Sequence, residues 1–335
     1  MSDVFEPTAR PAEGAAMDGE PEVSVIIPVL NGEGEIGRCL ECLLQNRFPR
    51  NRFEIIVVDN GSKDRTIEVV KSFQVHVALR ILVLEKVHIS ALRNLGAAEA
   101  RGKILAFLDA DCLAPPEWLQ AASQIARNAN SGVCGAHYRI PDDATWVGRI
   151  WTIDRFYGKE GNVSYVPAGD LIMRQDLFRR VGGFDESIQT NEDFELCQRA
   201  RQAGLSVRSY PGLVVVHLGT PRTLSGFFRK QRWHGTHVLT VFLRDPRKRS
   251  NRSVVLLSVY TLMCLLGMLA GVLFAMAQRG WMISGLFAVL LVFPMFVIAA
   301  SRSIRRGRWL DIPALTFLYV TFCIARARSL LNIGV

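Results

Sequence analysis

Asp109-Ala110-Asp111 places two carboxylates one residue apart, directly after the apolar run Ile104-Leu105-Ala106-Phe107-Leu108. At a strand end such a pair can help to hold a divalent cation and a ribose hydroxyl, since Mg²⁺ and Mn²⁺ favour oxygen ligands and keep sites for diphosphate oxygens. A polar strand terminus that caps the next helix would use the same residue type. A second acidic pair, Glu192-Asp193, opens a stretch whose apolar positions Phe194, Leu196 and Ala200 fit one side of a helix. The helix dipole favours acidic residues in a first turn without any catalysis; the functional alternative is a general base that deprotonates an acceptor hydroxyl. Asp59-Asn60-Gly61-Ser62-Lys63-Asp64 is a third polar cluster behind an apolar run. It suits a turn and cap, or Asp59 accepts hydrogen bonds from a nucleobase.

In order along the chain stand Val25-Ile26-Ile27-Pro28-Val29-Leu30-Asn31 with Glu33, Ile56-Val57-Val58-Asp59-Asn60-Gly61-Ser62 with Asp64, and Arg93-Asn94-Leu95-Gly96. Phe107-Leu108-Asp109-Ala110-Asp111, Gly182-Gly183-Phe184-Asp185 and Glu192-Asp193 with Leu196 follow. With these motifs, residues 23 to 233 closely resemble the family 2 glycosyltransferases, which have the GT-A fold. The resemblance implies a Rossmann-like domain that binds a nucleotide sugar, with Asp59 at the base and Pro28, Asn31, Glu33 and Arg93 lining the nucleotide pocket. It places Asp109 near ribose or metal, makes Asp111 a ligand of Mg²⁺ or Mn²⁺, and makes Asp193 the base of an inverting transfer, with Glu192 in reserve. Arg229-Lys230-Gln231-Arg232-Trp233 resembles a motif of membrane-bound members, where Arg229, Arg232 and Trp233 would meet acceptor sugar and diphosphate; a basic amphipathic helix on lipid headgroups is the other reading. His217 resembles a histidine that some relatives place near the metal or the diphosphate. Gly169-Asp170 fits the acceptor-side loop, although Asp170 stands where an uncharged residue is commoner.

These groups need a scaffold that brings strand ends together. Val23 to Val29, Phe53 to Val58, Arg80 to Leu84 and Ile104 to Leu108 read as buried strands, separated by helical patterns up to Gln45, near Arg65 to Phe73 and over Ile89 to Ala100. Alternation of this kind predicts an α/β domain with a parallel sheet covered on both faces. Ligands of such sheets bind outside the carboxyl ends of the strands, so residues 28 to 33, 59 to 64 and 109 to 112 should meet at one crevice. The second half is less regular: a loop-rich stretch over 132 to 165, a turn and helix over 169 to 181, a helix over 192 to 204, a strand near 213 to 216 and an amphipathic segment over 224 to 233.

Beyond Ser253 the composition changes. Residues 253 to 277 and 281 to 300 are uncharged runs of spanning length, joined by a turn at Gln278-Arg279-Gly280, and form a membrane hairpin. A third segment, 309 to 327, is a further span or an interfacial helix. The expected organisation is a disordered leader over 1 to 22, a catalytic domain over 23 to 250 and a membrane region over 253 to 335. The net charge of +9 lies largely beside the hydrophobic segments, at Arg244, Arg247, Lys248, Arg249 and Arg252, and at Arg302, Arg305, Arg306 and Arg308. That placement marks cytoplasmic flanks at the inner membrane and contact with anionic lipid, not nucleic acid. The seven scattered cysteines form no zinc pattern and read as buried, reduced thiols.

The expected activity is transfer of a sugar from a nucleotide-sugar donor to a saccharide or lipid-linked acceptor in cell-envelope or polysaccharide assembly. A processive synthase is the nearest alternative, although two or three membrane segments are few for a polymer channel. A non-catalytic scaffold would be expected to lose Asp111 or the acidic pair, and both are kept.

Overall fold

The computed structural model describes residues 19–128, 132–152, 160–188, 190–235, 249–277 and 280–330. Most of the expected leader, the arginine and lysine flank at 244–248, and Gln278-Arg279 lie outside the described residues. By its internal contacts the chain forms two compact units, Met1–Pro141 with Phe156–Gly219, and Asp142–Arg155 with Thr220–Val335.

The first unit is built on β1 (Val23–Val29), β2 (Phe53–Asp59), β3 (Leu79–Val83) and β4 (Ile104–Leu108), all parallel where they pair. Helices α1 (Ile36–Leu44), α2 (Thr66–Ser72) and α3 (Ile89–Glu99) connect them. Successive side chains of a strand point to opposite faces. Val25, Ile27, Ile55, Val57, Ala106 and Leu108 accordingly share one core with Leu40 and Leu43 of α1 and with Trp118 of α4 (Trp118–Arg127). Ile26, Ile56, Val58, Leu105 and Phe107 fill the other face with Leu92 and Ala97 of α3. This two-sided burial explains why β1, β2 and β4 read as continuous apolar runs.

The remaining elements of this unit are β5 (Cys112–Leu113), β6 (Val133–Gly135), β7 (Gly161–Asn162), β8 (Asp170–Arg174), α6 (Gln175–Arg180), α7 (Glu192–Gln202), β9 (Val207–Ser209) and β10 (Val216–His217). The main sheet runs β3-β2-β1-β4-β8-β6-β9-β7. Here the structure corrects the sequence reading. Residues 170–174, expected within a turn and helix, form a strand antiparallel to β4, and the sheet is mixed. Its three middle residues are all buried, with Ile172 in one core and Leu171 and Met173 in the other. So short an apolar run has no periodicity that separates strand from helix; pairing with β4 decides it. The strand expected near 213–216 is a 3₁₀ turn, Pro211–Leu213, followed by the two residues of β10. All seven cysteines are free, and every one but Cys42 is buried.

The second unit contains α5 (Trp146–Trp151), α8 (Leu224–Trp233), α9 (Arg249–Leu273), α10 (Gly280–Ile304) and α11 (Ile312–Leu330). Among the described residues three helices are long and apolar enough to cross a membrane, over Val255–Leu273, Trp281–Ile304 and Trp309–Ser329. Within this unit Val147 and Ile150 of α5 and Phe227 of α8 cluster with Ala299 of α10 and with Leu315 and Leu318 of α11.

Candidate active site

The parallel strands β1, β2 and β4 end side by side, and the loops that follow the first two are laced together. Asn31 N–H donates to Ser62 Oγ (2.8 Å), Lys63 N–H to Asn31 Oδ1 (2.8 Å) and Arg65 N–H to Glu33 Oε2 (2.9 Å). Gly32 N–H donates to Thr66 Oγ1 (2.8 Å). Asn31 sits at φ 50°, a left-handed turn that asparagine tolerates. Pro28 lies past Ile26, the last residue of β1 paired with β4, so its missing N–H costs that side of the ladder nothing. Asp59 is buried, and its carboxylate takes the N–H groups of Gly61 (2.9 Å) and Ser62 (2.8 Å) and the Ser62 hydroxyl. Of about four acceptor positions on a carboxylate, these occupy three and leave one on Oδ1.

At the end of β4, Asp109 is 25 % and Asp111 32 % exposed. One ligand atom from each of Asp109, Asp111 and Cys112 lies within 4.8 Å of the others. The antiparallel pair β5–β10 sets Cys112 opposite His217, which brings His217 Nε2 to 3.4 Å from Asp111 Oδ2. Gly219 completes this corner, because a Cβ there would overlap Asp111 Oδ2. Two carboxylates and an imidazole suit a small divalent cation that keeps positions for diphosphate oxygens. Burial pushes the Cys112 thiol well above the ordinary thiol range, with the nearby charges of Asp109 and Asp111 adding to it, so this sulfur stays protonated.

Across the crevice, Glu192 and Asp193 begin α7 behind Asn191, which adopts a left-handed conformation (φ 66°). Asp193 Oδ1 accepts from Phe194 N–H (2.7 Å), and the Ala168 amide adds to the pull on its carboxyl. Burial first, then the charge of Glu192, pushes its carboxyl up to about 7, against the pull of these amides and of Arg93. An acid that titrates near neutrality is matched to general-base work. Arg93, from α3, is 2 % exposed and lies between the two motifs, with Nη2 2.7 Å from Asp109 Oδ1 and Nη1 2.7 Å from Glu192 Oε1. That buried position differs from the pocket-lining one expected from sequence.

Asp170 departs further from expectation. It is fully buried, and its oxygens accept from Trp118 Nε1 (2.9 Å) and Ala136 N–H (3.0 Å). Burial raises its carboxyl well above the usual carboxylate range. Both bonds hold the core beneath β4 and β8, so the acceptor contact read from the sequence does not fit this side chain. The site also contains a residue that sequence reasoning missed. Tyr138 is stacked on His217, with ring centroids 4.8 Å apart and planes at 9°, and its hydroxyl accepts from Gly169 N–H (3.1 Å). A Cβ at Gly169 would overlap Asp109 Oδ2 and the Tyr138 hydroxyl, so glycine is required for this close approach. Tyr138 follows a three-residue strand in the irregular half of the domain, where no periodic signal singles it out.

Arg229, Arg232 and Trp233 lie in the second unit, on α8, whose first turn is capped by Thr223 Oγ1 accepting from Gly226 N–H (3.1 Å). Phe227 and Gln231 face inward, while Arg229 and Trp233 are exposed. A cavity of ≈ 550 Å³ lined by Glu22, Lys103, Arg127, Arg174 and Asp176 lies where β1 and β4 begin, at the opposite end of these strands from Asp109 and Asp111.

Comparison with known proteins agrees with this geometry. Residues 24–182 match Glycosyl transferase family 2, and residues 104–323 match Glycosyl transferase family group 2. Glycosyltransferase AglE of Haloferax volcanii is 30% identical over 248 residues, which cover 72% of this chain and 80% of that protein. The probable glycosyltransferase YdaM of Bacillus subtilis is 26% identical over 256 residues, covering 70% of this chain and 60% of YdaM. Among solved structures, the mannosyltransferase PcManGT from Pyrobaculum calidifontis, in complex with GDP-Man and Mn²⁺, superposes with a TM-score of 0.60 at 19% identity, covering 97% of this chain and 92% of that one. The fold is thus GT-A, and the chain belongs to the family 2 glycosyltransferases.

Proposed function

We propose that this glycosyltransferase moves a sugar from a nucleoside-diphosphate sugar to a hydroxyl of a lipid-linked saccharide, with inversion at the anomeric carbon, in the assembly of cell-envelope or other polysaccharide. One observation carries the reading: Arg93 bonds at 2.7 Å both to Asp109, of the cation-competent pair with Asp111, and to Glu192, the chain neighbour of Asp193, whose carboxyl is pushed up to about 7. The laced loops of Pro28, Asn31, Glu33 and Asp59 form the nucleoside side, with the remaining acceptor position of Asp59 open to a base N–H. Asp109 and Asp111 would hold Mg²⁺ or Mn²⁺, with His217 as a further contact. When bound, such a cation offsets the negative charge that builds on the leaving nucleoside diphosphate. PcManGT, solved with GDP-Man and Mn²⁺, supports both the donor class and the cation.

Asp193 takes the proton of the attacking hydroxyl. The new C–O bond forms at the anomeric carbon on one face while the bond to the β-phosphate oxygen breaks on the other, and the electron pair leaves with the diphosphate. On α8, Arg229 and Arg232 suit phosphate recognition through paired N–H groups, and Trp233 offers a face for a sugar ring. The hydrophobic helices hold the enzyme in the inner membrane, with the arginines at 302, 305, 306 and 308 on the cytoplasmic side. Release of the chain from membranes by alkaline carbonate would contradict this anchoring.

A screen of detergent-purified protein with UDP-, GDP-, dTDP- and CMP-sugars, in Mn²⁺, Mg²⁺ or EDTA, tests the donor site. Metal-dependent binding and turnover of one nucleotide sugar is expected. Folded protein that binds none of them would overturn the reading.

A further inference from the structure

Arg93 joins two segments that the chain keeps far apart, the end of β4 at Asp109 and the start of α7 at Glu192. Its guanidinium is buried, each Nη lies 2.7 Å from one carboxylate oxygen, and Nε is buried with no partner among the described residues. The Phe184 ring closes the pocket, 5.6 Å from the guanidinium carbon. At 2 % exposure the side chain presents no surface to a nucleotide. Resting on the reading above, we infer that Arg93 is a positioning residue that ties the cation-holding motif to the helix carrying the base.

The chemistry follows from the shape of the group. A guanidinium is a rigid planar fork, so two carboxylates bonded to its two Nη atoms are held at a fixed separation. Asp109 commits Oδ1 to Arg93, and its Oδ2 lies on the Gly169 side beside the Tyr138 hydroxyl. Glu192, gripped on the other arm, anchors the first turn of α7 behind the left-handed Asn191, and Asp193 is the next residue. Movement of Asp109 toward a cation is therefore transmitted through Arg93 to the segment that aims the base. Lysine, a single point charge on a flexible stem, cannot hold both carboxylates in this way.

Hydrogen exchange on the full-length protein in detergent, with and without saturating Mn²⁺ and the nucleoside diphosphate that binds (UDP or GDP), tests the coupling. In wild type, loading should protect the amides of the first turn of α7. In Arg93→Lys that protection should disappear and kcat should fall about 10–100-fold, the range typical of partners behind a ligating side chain, while nucleotide Kd at saturating Mn²⁺ stays within about threefold. Should Arg93→Lys fail to fold, Glu192→Gln keeps an acceptor for Nη1 without the ion pair and should weaken the same protection. Unchanged α7 protection in the variants would overturn the inference. So would a nucleotide Kd that rises in step with the loss of kcat, which would make Arg93 a donor contact. A wild-type protein that binds neither nucleotide with Mn²⁺ would instead bring down the underlying donor reading, and the inference with it.

Discussion

Glu192 and Asp193 are neighbours in the chain but are held differently: Glu192 Oε1 lies 2.7 Å from Arg93 Nη1, while Asp193 Oδ1 accepts from Phe194 N–H at 2.7 Å. One carboxylate is matched by a buried cation. The other is left among backbone amides, beside the first one's charge, and is pushed up to about 7.

This arrangement has a stability consequence. Between roughly pH 4, where an aspartate ionises in an unfolded chain, and pH 7, the folded state keeps the Asp193 proton that the unfolded state has lost. The Asp193 contribution therefore makes the protein less stable as pH rises through this window, and the cost is complete above it. Asp193→Asn removes that cost and should raise Tm by a few degrees at pH 8, with the gain shrinking toward pH 5. Thermal denaturation of both proteins across this range checks the sign; a Tm below wild type at pH 8 would contradict it.

The cation corner separates two contributions. Asp111→Ala should abolish metal-dependent donor turnover. His217→Ala should raise the half-saturating Mn²⁺ concentration about tenfold, in the range typical of groups that support a metal site, and leave turnover at saturating metal largely intact. Mn²⁺ titrations of activity give both values. Equal loss in the two variants at saturating metal would mean that His217 does more than support the cation.

Asp170 is expected to matter for stability and not for acceptor choice. Both of its oxygens accept from N–H donors in the core, and asparagine would set an NH₂ against one of them. Asp170→Asn should cost about 1–3 kcal/mol in chemical denaturation, the penalty of a buried group left unsatisfied, without changing KM for the acceptor. A changed acceptor KM at unchanged stability would restore the role that the sequence suggested.

The strand–helix alternation from Val23 to Leu108 was legible because buried parallel strands are continuous apolar runs, and its polar ends marked the crevice. Asp109, Asp111 and the Glu192-Asp193 pair were legible as motifs. Other features, Tyr138 among them, were not. β8 shows no periodicity of its own; its pairing with β4 and β6 tells Leu171, Ile172 and Met173 which way to face. The inward placement of Arg93 and Asp170 depends on partners 99 and 52 residues away, Glu192 and Trp118. Sequence spacing carries no information about such pairs, so a charged residue inside a motif reads as surface until the structure shows what it grips.

The most direct test of the catalytic assignment is the pH dependence of donor turnover at saturating Mn²⁺, for wild type and Asp193→Asn, with nucleotide affinity measured alongside. Wild-type turnover should rise with pH through an apparent pKa near 7 as Asp193 loses its proton. Asp193→Asn should bind nucleotide normally, lose that limb and turn over about 10²–10⁴-fold more slowly. An Asp193→Asn enzyme that keeps wild-type rates and the same pH limb would show that another group is the base.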